Sequence, residues 1–200
     1  MFGKFKDKFN KMEYRLSVLW NERMAFVYNP KVELKYVNKS TNEDIKYAKP
    51  GDSGFDLRAW ISKDGYPEGK AFTKESSDGD LPWVWCVEIP PHERMLIHTG
   101  LYVELPEYTE LQVRPRSCES LKRGLVVANS PGTVDSLFRG EVCVIALNTT
   151  NEPIIVEDGE RIAQAVLMPV YNSFKVDLVK VDEINKETER GDGGFGHTGK

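Results

Sequence analysis

From about residue 31 onward the chain is a succession of short β-branched runs, each cut off by Pro, Gly, Asn or Asp. The runs fall at 32–37, 83–89, 94–98, 101–105, 111–114, 125–127, 141–148, 154–156 and 161–169. Side chains alternate between the two faces of a strand, so many short runs at this spacing predict an all-β barrel or sandwich of the jelly-roll kind. Only 117–123 has helical character inside this region. The first thirty residues differ. Phe2, Phe5, Phe9, Met12, Leu16 and Leu19 recur in steps of three and four, with Lys4, Lys6, Lys8 and Lys11 between them. That period predicts an amphipathic helical extension packing on its own domain or on a neighbouring subunit. A short coiled-coil arm and a basic membrane-surface helix are weaker readings of the same stripe.

Two further stretches stand apart. Residues 61–82 are polar, Gly-rich and poor in large apolar side chains, which predicts a long surface loop or an inserted hairpin. The tail, 182–200, has too many glycines for a packed element, and plain disorder is its simplest reading. Yet it carries Arg190, a lone aromatic Phe195 bracketed by glycines, then His197 and Thr198. An Arg, an aromatic and a hydroxyl on a flexible strip are suited to closing over a ligand. The expected organisation is therefore 1–30 as the helical extension, 31–181 as the β-domain and 182–200 as a flexible tail.

Charge narrows the partners. A formal net charge of -4 argues against broad nucleic-acid binding, which needs a basic face. It leaves room for a polyphosphate, which needs only a local cluster of Arg, Lys and backbone N–H groups. Cys86, Cys118 and Cys143 are an odd, widely spaced set, and His92, His98 and His197 are scattered, so no zinc-site spacing is visible. Reduced thiols are expected. No run of about 18 apolar residues is present, and the charged first residues lack a secretory apolar core, so the expectation is an intracellular protein without a membrane span.

Four short constellations carry chemistry. In Pro115-Arg116-Ser117, the proline ends a strand and the serine stands where a helix N-cap is favoured; guanidinium, hydroxyl and helix-start N–H groups suit a phosphate. By itself this is a common tripeptide with a structural serine. From Asn129 to Glu141, turn formers lead through Thr133 and Val134 to Asp135, with Phe138 and Gly140 following. An acid held on a hairpin can orient and deprotonate a water, although a turn-capping role is the plainer reading. Asp56, between Phe55 and Leu57, is a strand carboxylate expected to pair with a buried arginine. Gln164, in Gly159-Glu160-Arg161-Ile162-Ala163-Gln164, can both donate and accept a hydrogen bond.

Taken in order, these segments resemble the five motifs of the trimeric dUTPase family. The first looks like Gly51 to Ala59, the second like Pro115-Arg116-Ser117, the third like Gly132 to Glu141, the fourth like Gly159 to Gln164, and the fifth like Arg190 to Gly199. The resemblance covers about residues 31 to 200, and a phage-type or divergent member would fit the added arm and insertion. It implies a jelly-roll barrel, with three subunits building three shared sites that hydrolyse dUTP to dUMP and pyrophosphate.

Carried onto this chain, the resemblance implies Asp135 as the base activating water and Gln164 beside it in the catalytic set. Arg116, Ser117, Cys118, Arg190 and Thr198 would meet the triphosphate, with Mg²⁺ held through phosphate oxygens and waters rather than by the protein. Asn129, Gly132, Thr133 and Val134 would read the uracil, Phe138 would pack under the deoxyribose, and Phe195, Gly196 and His197 would close over the site. Asp56 would support it.

Three departures qualify this. Cys118 and Glu119 follow the serine where the family has small residues. Phe138 stands where the family has tyrosine, and His197 where it has serine, which would make affinity mildly pH-dependent. Two rival readings stand beside this one. A dCTP deaminase on the same fold needs a glutamate ten residues past the aspartate, where this chain has Ile145. A binding protein could engage a partner through 1–30 or 61–82. The resemblance also implies cytoplasmic residence, in the host if the chain is phage-encoded.

Overall fold

The computed structural model describes residues 31–67, 70–76 and 83–193. The helix expected over residues 1–30 therefore lies outside the described residues, as do Phe195, Gly196, His197 and Thr198 of the tail. Among the described residues the ordered elements are strands, a 3-10 turn at Lys63–Gly65 and a π-helical turn at Glu119–Arg123. None of the helices there is long and apolar enough to cross a membrane.

In chain order the strands are β1 (Lys35–Asn38), β2 (Gly54–Arg58), β3 (Ala71–Glu75), β4 (Trp83–Ile89), β5 (Arg94–Ile97) and β6 (Leu101–Glu104). They continue as β7 (Thr109–Arg114), β8 (Leu125–Val127), β9 (Gly132–Asp135), β10 (Val144–Asn148), β11 (Ile154–Glu157) and β12 (Arg161–Pro169). They pair antiparallel in four small sheets, ordered β2-β12-β7-β9, β5-β10-β8, β11-β4-β3 and β1-β6. This is the all-β jelly-roll arrangement expected from the spacing of the runs.

The pattern of side chains explains why the sheets close on each other. Along β7, Thr109, Leu111 and Val113 are buried while Glu110, Gln112 and Arg114 are not. In β10, Val144, Ala146 and Asn148 point inward. Leu57, Ile89, Ile97, Leu111, Leu125 and Val156 join the same core. Each such side chain contributes roughly 1.5–3 kcal/mol when withdrawn from water.

Strand β12 departs from alternation, and the departure matters for the site. A bulge between Arg161 and Ala163 leaves Ile162 and Ala163 both buried. Residues three apart on a regular strand face opposite sides. The extra residue instead brings Arg161 and Gln164 onto the same outer face, where Gln164 sits between Asp56 of β2 and Arg114 of β7.

Among the described residues, one polar side chain in the core is fully buried. Asn148 donates through Nδ2 to the carbonyls of Ile89, Pro90 and Glu152, at 3.0, 3.2 and 2.8 Å. Its Oδ1 accepts from the backbone N and hydroxyl of Thr150, both at 2.8 Å. It thus ties the end of β10 to the turns after β4 and before β11. Asn148→Ala is expected to lower stability by about 2–5 kcal/mol, because the abandoned carbonyls stay buried. Urea midpoints at one fixed protein concentration check this.

Candidate active site

The candidate residues separate into two groups on one chain. The first is built around the hairpin that leaves β9. The backbone N–H of Phe138 donates to the Asp135 carbonyl at 3.0 Å, closing the turn. Arg139 caps it, donating to the carbonyls of Ser136 and Phe138, both at 2.8 Å. The Phe138 ring lies on the backbone at Gly140, where an added Cβ would stand 2.5 Å from the ring. Gly140 is therefore what lets the aromatic fold back along the hairpin. At the other end Gly132 lies against Asn129, whose Nδ2 would be 3.1 Å from a Cβ there.

Glu141 fastens the returning strand. Its Oε1 accepts from the backbone N–H groups of Thr99 and Gly100 at 2.9 and 2.7 Å, and its Oε2 lies 2.9 Å from His98 Nδ1. Burial opposes its ionisation, but the donors from Gly100, His98 and Thr99 outweigh this and hold the carboxyl below its ordinary value. Asn129, Gly132, Thr133, Val134, Asp135 and Phe138 together line a cavity whose apolar wall includes Leu96, Val113 and Ile145. Asp135 itself is exposed at the edge.

The second group sits on the outer face of the β2-β12-β7-β9 sheet. Asp56 pairs with Arg116, Nε to Oδ1 at 2.8 Å, and with Arg161 at 3.2 Å. Asp56 does pair with arginine, and doubly, but neither partner is buried as expected: Arg116 is half-buried and Arg161 exposed. Arg116 is braced further by a bond from its NH1 to the Arg161 carbonyl at 3.1 Å. Gln164 donates to the Pro115 carbonyl at 2.9 Å. A hollow is lined by Lys46, Gly54, Asp56, Arg116, Ser117, Cys118, Arg161 and Gln164 among others. Lys46, Arg116 and Arg161 line it with two carboxylates, Asp52 and Asp56, and the guanidinium N–H groups are suited to an anion.

Several expectations change here. Ser117 is not the N-cap, because it already lies inside the short helical turn over 117–123, which is π-wound at Glu119–Arg123. Anion attraction must then come from side chains rather than from a helix dipole. Arg190 is exposed, its Nε on the Gly193 carbonyl at 2.8 Å, and it joins neither group in this chain. Lys46 and Arg161 escaped sequence reasoning. Arg161 had a signal, lying within the same short motif as Gln164, but only the bulge reveals that both face one way. Lys46 had none.

Register keeps the two groups apart. Asp135 lies across from Glu110, and Gln164 across from Arg114, on either side of β7. Four residues along a strand span about 13 Å. One chain thus presents the acid at one end of the ladder and the cationic hollow at the other.

Comparison with known proteins gives a consistent result. The dUTPase family model matches residues 75–199. A deoxyuridine 5'-triphosphate nucleotidohydrolase of Finegoldia magna is 38% identical, covering 84% of this chain and 99% of that protein. Among solved structures, a mutant dUTPase of Staphylococcus bacteriophage 80alpha with dUpNHpp superposes with a TM-score of 0.64 at 22% identity, over 84% of this chain and 99% of the other. A mutant dUTPase from phage phi11 of S. aureus, described with the coordination of a structural Mg(II) ion, gives 0.59 at 17% identity, over 76% and 99%.

The placement of Gln164 has a testable cause. A Cβ at Gly54 would stand 2.9 Å from Gln164 Oε1 and 3.2 Å from the Ala165 carbonyl, which belongs to the backbone and cannot swing away. Gly54→Ala is therefore expected to displace Gln164 and to cost about 1–3 kcal/mol in urea unfolding.

Proposed function

The chain belongs to the dUTPase family, and from that membership we propose that it hydrolyses dUTP to dUMP and pyrophosphate, with Asp135 as the base. The observation that carries this reading is the hairpin: an exposed acid at the rim of a cavity walled by Asn129, Gly132, Thr133, Val134 and Phe138. Backbone N–H and C=O groups of that hairpin offer the donor and acceptor pattern that separates uracil from cytosine. A mismatch leaves buried groups unpaired, at about 1–3 kcal/mol each. The Phe138 ring, held against Gly140, supplies a face for the deoxyribose and leaves little room for a 2′-hydroxyl.

In the reaction, Asp135 takes a proton from water as the water oxygen bonds to the α-phosphorus. The bond from that phosphorus to the bridging oxygen breaks, and its electrons leave on pyrophosphate. Arg116, Ser117 and Gln164 grip the departing phosphates, with Arg190 and the tail residues Phe195, Gly196, His197 and Thr198 closing over them. Asp56 keeps the Arg116 guanidinium aimed, because it fixes Nε while the Arg161 carbonyl holds NH1, which leaves NH2 to the ligand. Cys118 lines the same hollow.

Mg²⁺ fits this site as a companion of the substrate. Among the described residues lining the cationic hollow, both carboxylates are Asp52 and Asp56; Asp56 serves two guanidiniums and Asp52 caps the Lys49 N–H at 2.7 Å. The ion would accordingly be held by phosphate oxygens and its own waters, as Mg²⁺ commonly is. When bound it polarises the phosphoryl oxygens and offsets charge on the leaving group.

A complete site needs more than one chain. With acid and cations about 13 Å apart along β7, the Asp135 hairpin of one copy must meet the Arg116–Gln164 face of another. A homotrimer with three shared sites would supply that arrangement, and a further protein partner would engage residues 1–30 or 61–82. Deamination of dCTP is not favoured. Ile145 lines the same cavity as Asp135, so the position that would need a carboxylate for proton transfer reaches the site and offers hydrocarbon.

A panel of dUTP, dCTP, dTTP and UTP with Mg²⁺ tests the reading. Pyrophosphate release is expected from dUTP in strong preference, without ammonia from dCTP. Asp135→Asn should lower kcat by about 10²–10⁴-fold, the usual worth of a general base.

A further inference from the structure

We infer that His98, Glu141 and Cys143 form a binding site for a thiophilic divalent cation of the Zn²⁺ class, separate from the substrate-borne Mg²⁺. The side chains come from two strands. Val144 pairs with Ile97 in the β5–β10 ladder, so one step further sets Cys143 beside His98. Glu141, two residues before Cys143, shares its face by the two-residue period of extended chain. The ligand atoms of all three lie within 4.8 Å of one another. His98 Nδ1 is 2.9 Å from Glu141 Oε2 and 3.7 Å from Cys143 Sγ.

Those spacings suit tetrahedral zinc. Bonds of about 2.0–2.1 Å to nitrogen, 2.0–2.2 Å to oxygen and 2.3 Å to sulfur place nitrogen about 3.3 Å from oxygen and about 3.5 Å from sulfur. The two distances from His98 Nδ1 need change by only a few tenths of an ångström. The surroundings already do the work of an outer shell. Thr99 and Gly100 N–H groups fix Glu141 Oε1, which leaves Oε2 directed at the cation. Tyr66 covers the imidazole edge-on at 5.4 Å between ring centroids, and its hydroxyl accepts the His98 backbone N–H at 3.2 Å. An N, O, S donor set selects zinc over Mg²⁺, which prefers oxygen ligands alone. On binding, the Cys143 S–H bond breaks, a sulfur–metal bond forms and the proton passes to water. Glutamate and thiolate then balance the two positive charges.

The site also has a consequence for the hairpin. Glu141 and Cys143 line the cavity that Asp135 rims. A cation bound there bolts the β5–β6 turn to the strand returning from the Asp135 hairpin.

The experiment is titration of the full-length, nucleotide-free chain with ZnCl₂ in excess MgCl₂ by calorimetry, then with CoCl₂ by absorption spectroscopy. The expected result is one Zn²⁺ per chain and a thiolate-to-cobalt charge-transfer band. Cys143→Ala should abolish the band and weaken zinc binding by more than about 100-fold, beyond what loss of an outer-shell partner does. Cys118→Ala, which removes the exposed thiol, should preserve both. Absence of stoichiometric zinc in the wild-type chain, absence of the cobalt band, or retention of binding in Cys143→Ala overturns the inference. The wild-type cobalt band decides the matter even if a variant fails to fold.

Discussion

The register of β7 between β12 and β9 is the constraint on which the rest of the site depends. Backbone pairing sets Arg114 opposite Gln164 and Glu110 opposite Asp135, and the two-residue period then assigns every side chain to the core or to the outer face. Slipping either ladder by one residue would bury Asp135 or Gln164 and expose Leu111 or Val113. Hydrophobic burial thus holds the register, and the register holds the chemistry. The separation of the acid from the cationic hollow follows from this pairing, and the proposed division of the site between copies rests on it.

Electrostatics act within that frame. The chain is acidic overall, so a triphosphate must be met by charges gathered locally. Asp56 does the gathering: it anchors Arg116 and Arg161, and the β12 bulge turns Arg161 toward it. The hairpin is treated oppositely. Its acid stays at the rim, while Glu141 at the far end is consumed by backbone donors and His98. Asp135 is thereby left exposed, while Asp56 and Glu141 are held by their partners.

Much of this was legible in the chain itself. The runs at 83–89, 125–127 and 161–169 coincide with β4, β8 and β12: the first two are dense in β-branched or aromatic residues, and a proline closes the first and the third. The run at 32–37 starts too early; β1 occupies Lys35–Asn38, where β6 offers it a partner. Of the two readings of 61–82, the inserted hairpin is the one met, as β3 pairs with β4; its bounds were not legible because Ala71–Glu75 is half polar. Asp135, Gln164, Arg116 and Asp56 were recoverable from motif order. Arg161 was not, since a bulge is invisible to a two-residue pattern. The His98–Glu141–Cys143 cluster was hidden more deeply: His98 and Cys143 meet only through the β5–β10 pairing, a long-range contact with no sequence spacing to announce it.

The central claim is that one site is divided between copies, with Asp135 and Arg116 supplied by different chains. It is tested most directly by mixing two inactive variants, Asp135→Asn and Arg116→Ala, and letting them assemble together from equal amounts. Random assembly in a symmetric trimer pairs an intact Asp135 with an intact Arg116 in about one site in four. The account predicts recovery of roughly a quarter of the wild-type rate of pyrophosphate release from dUTP. A mixture as inactive as its parents, although trimers of both chains have formed, would contradict it.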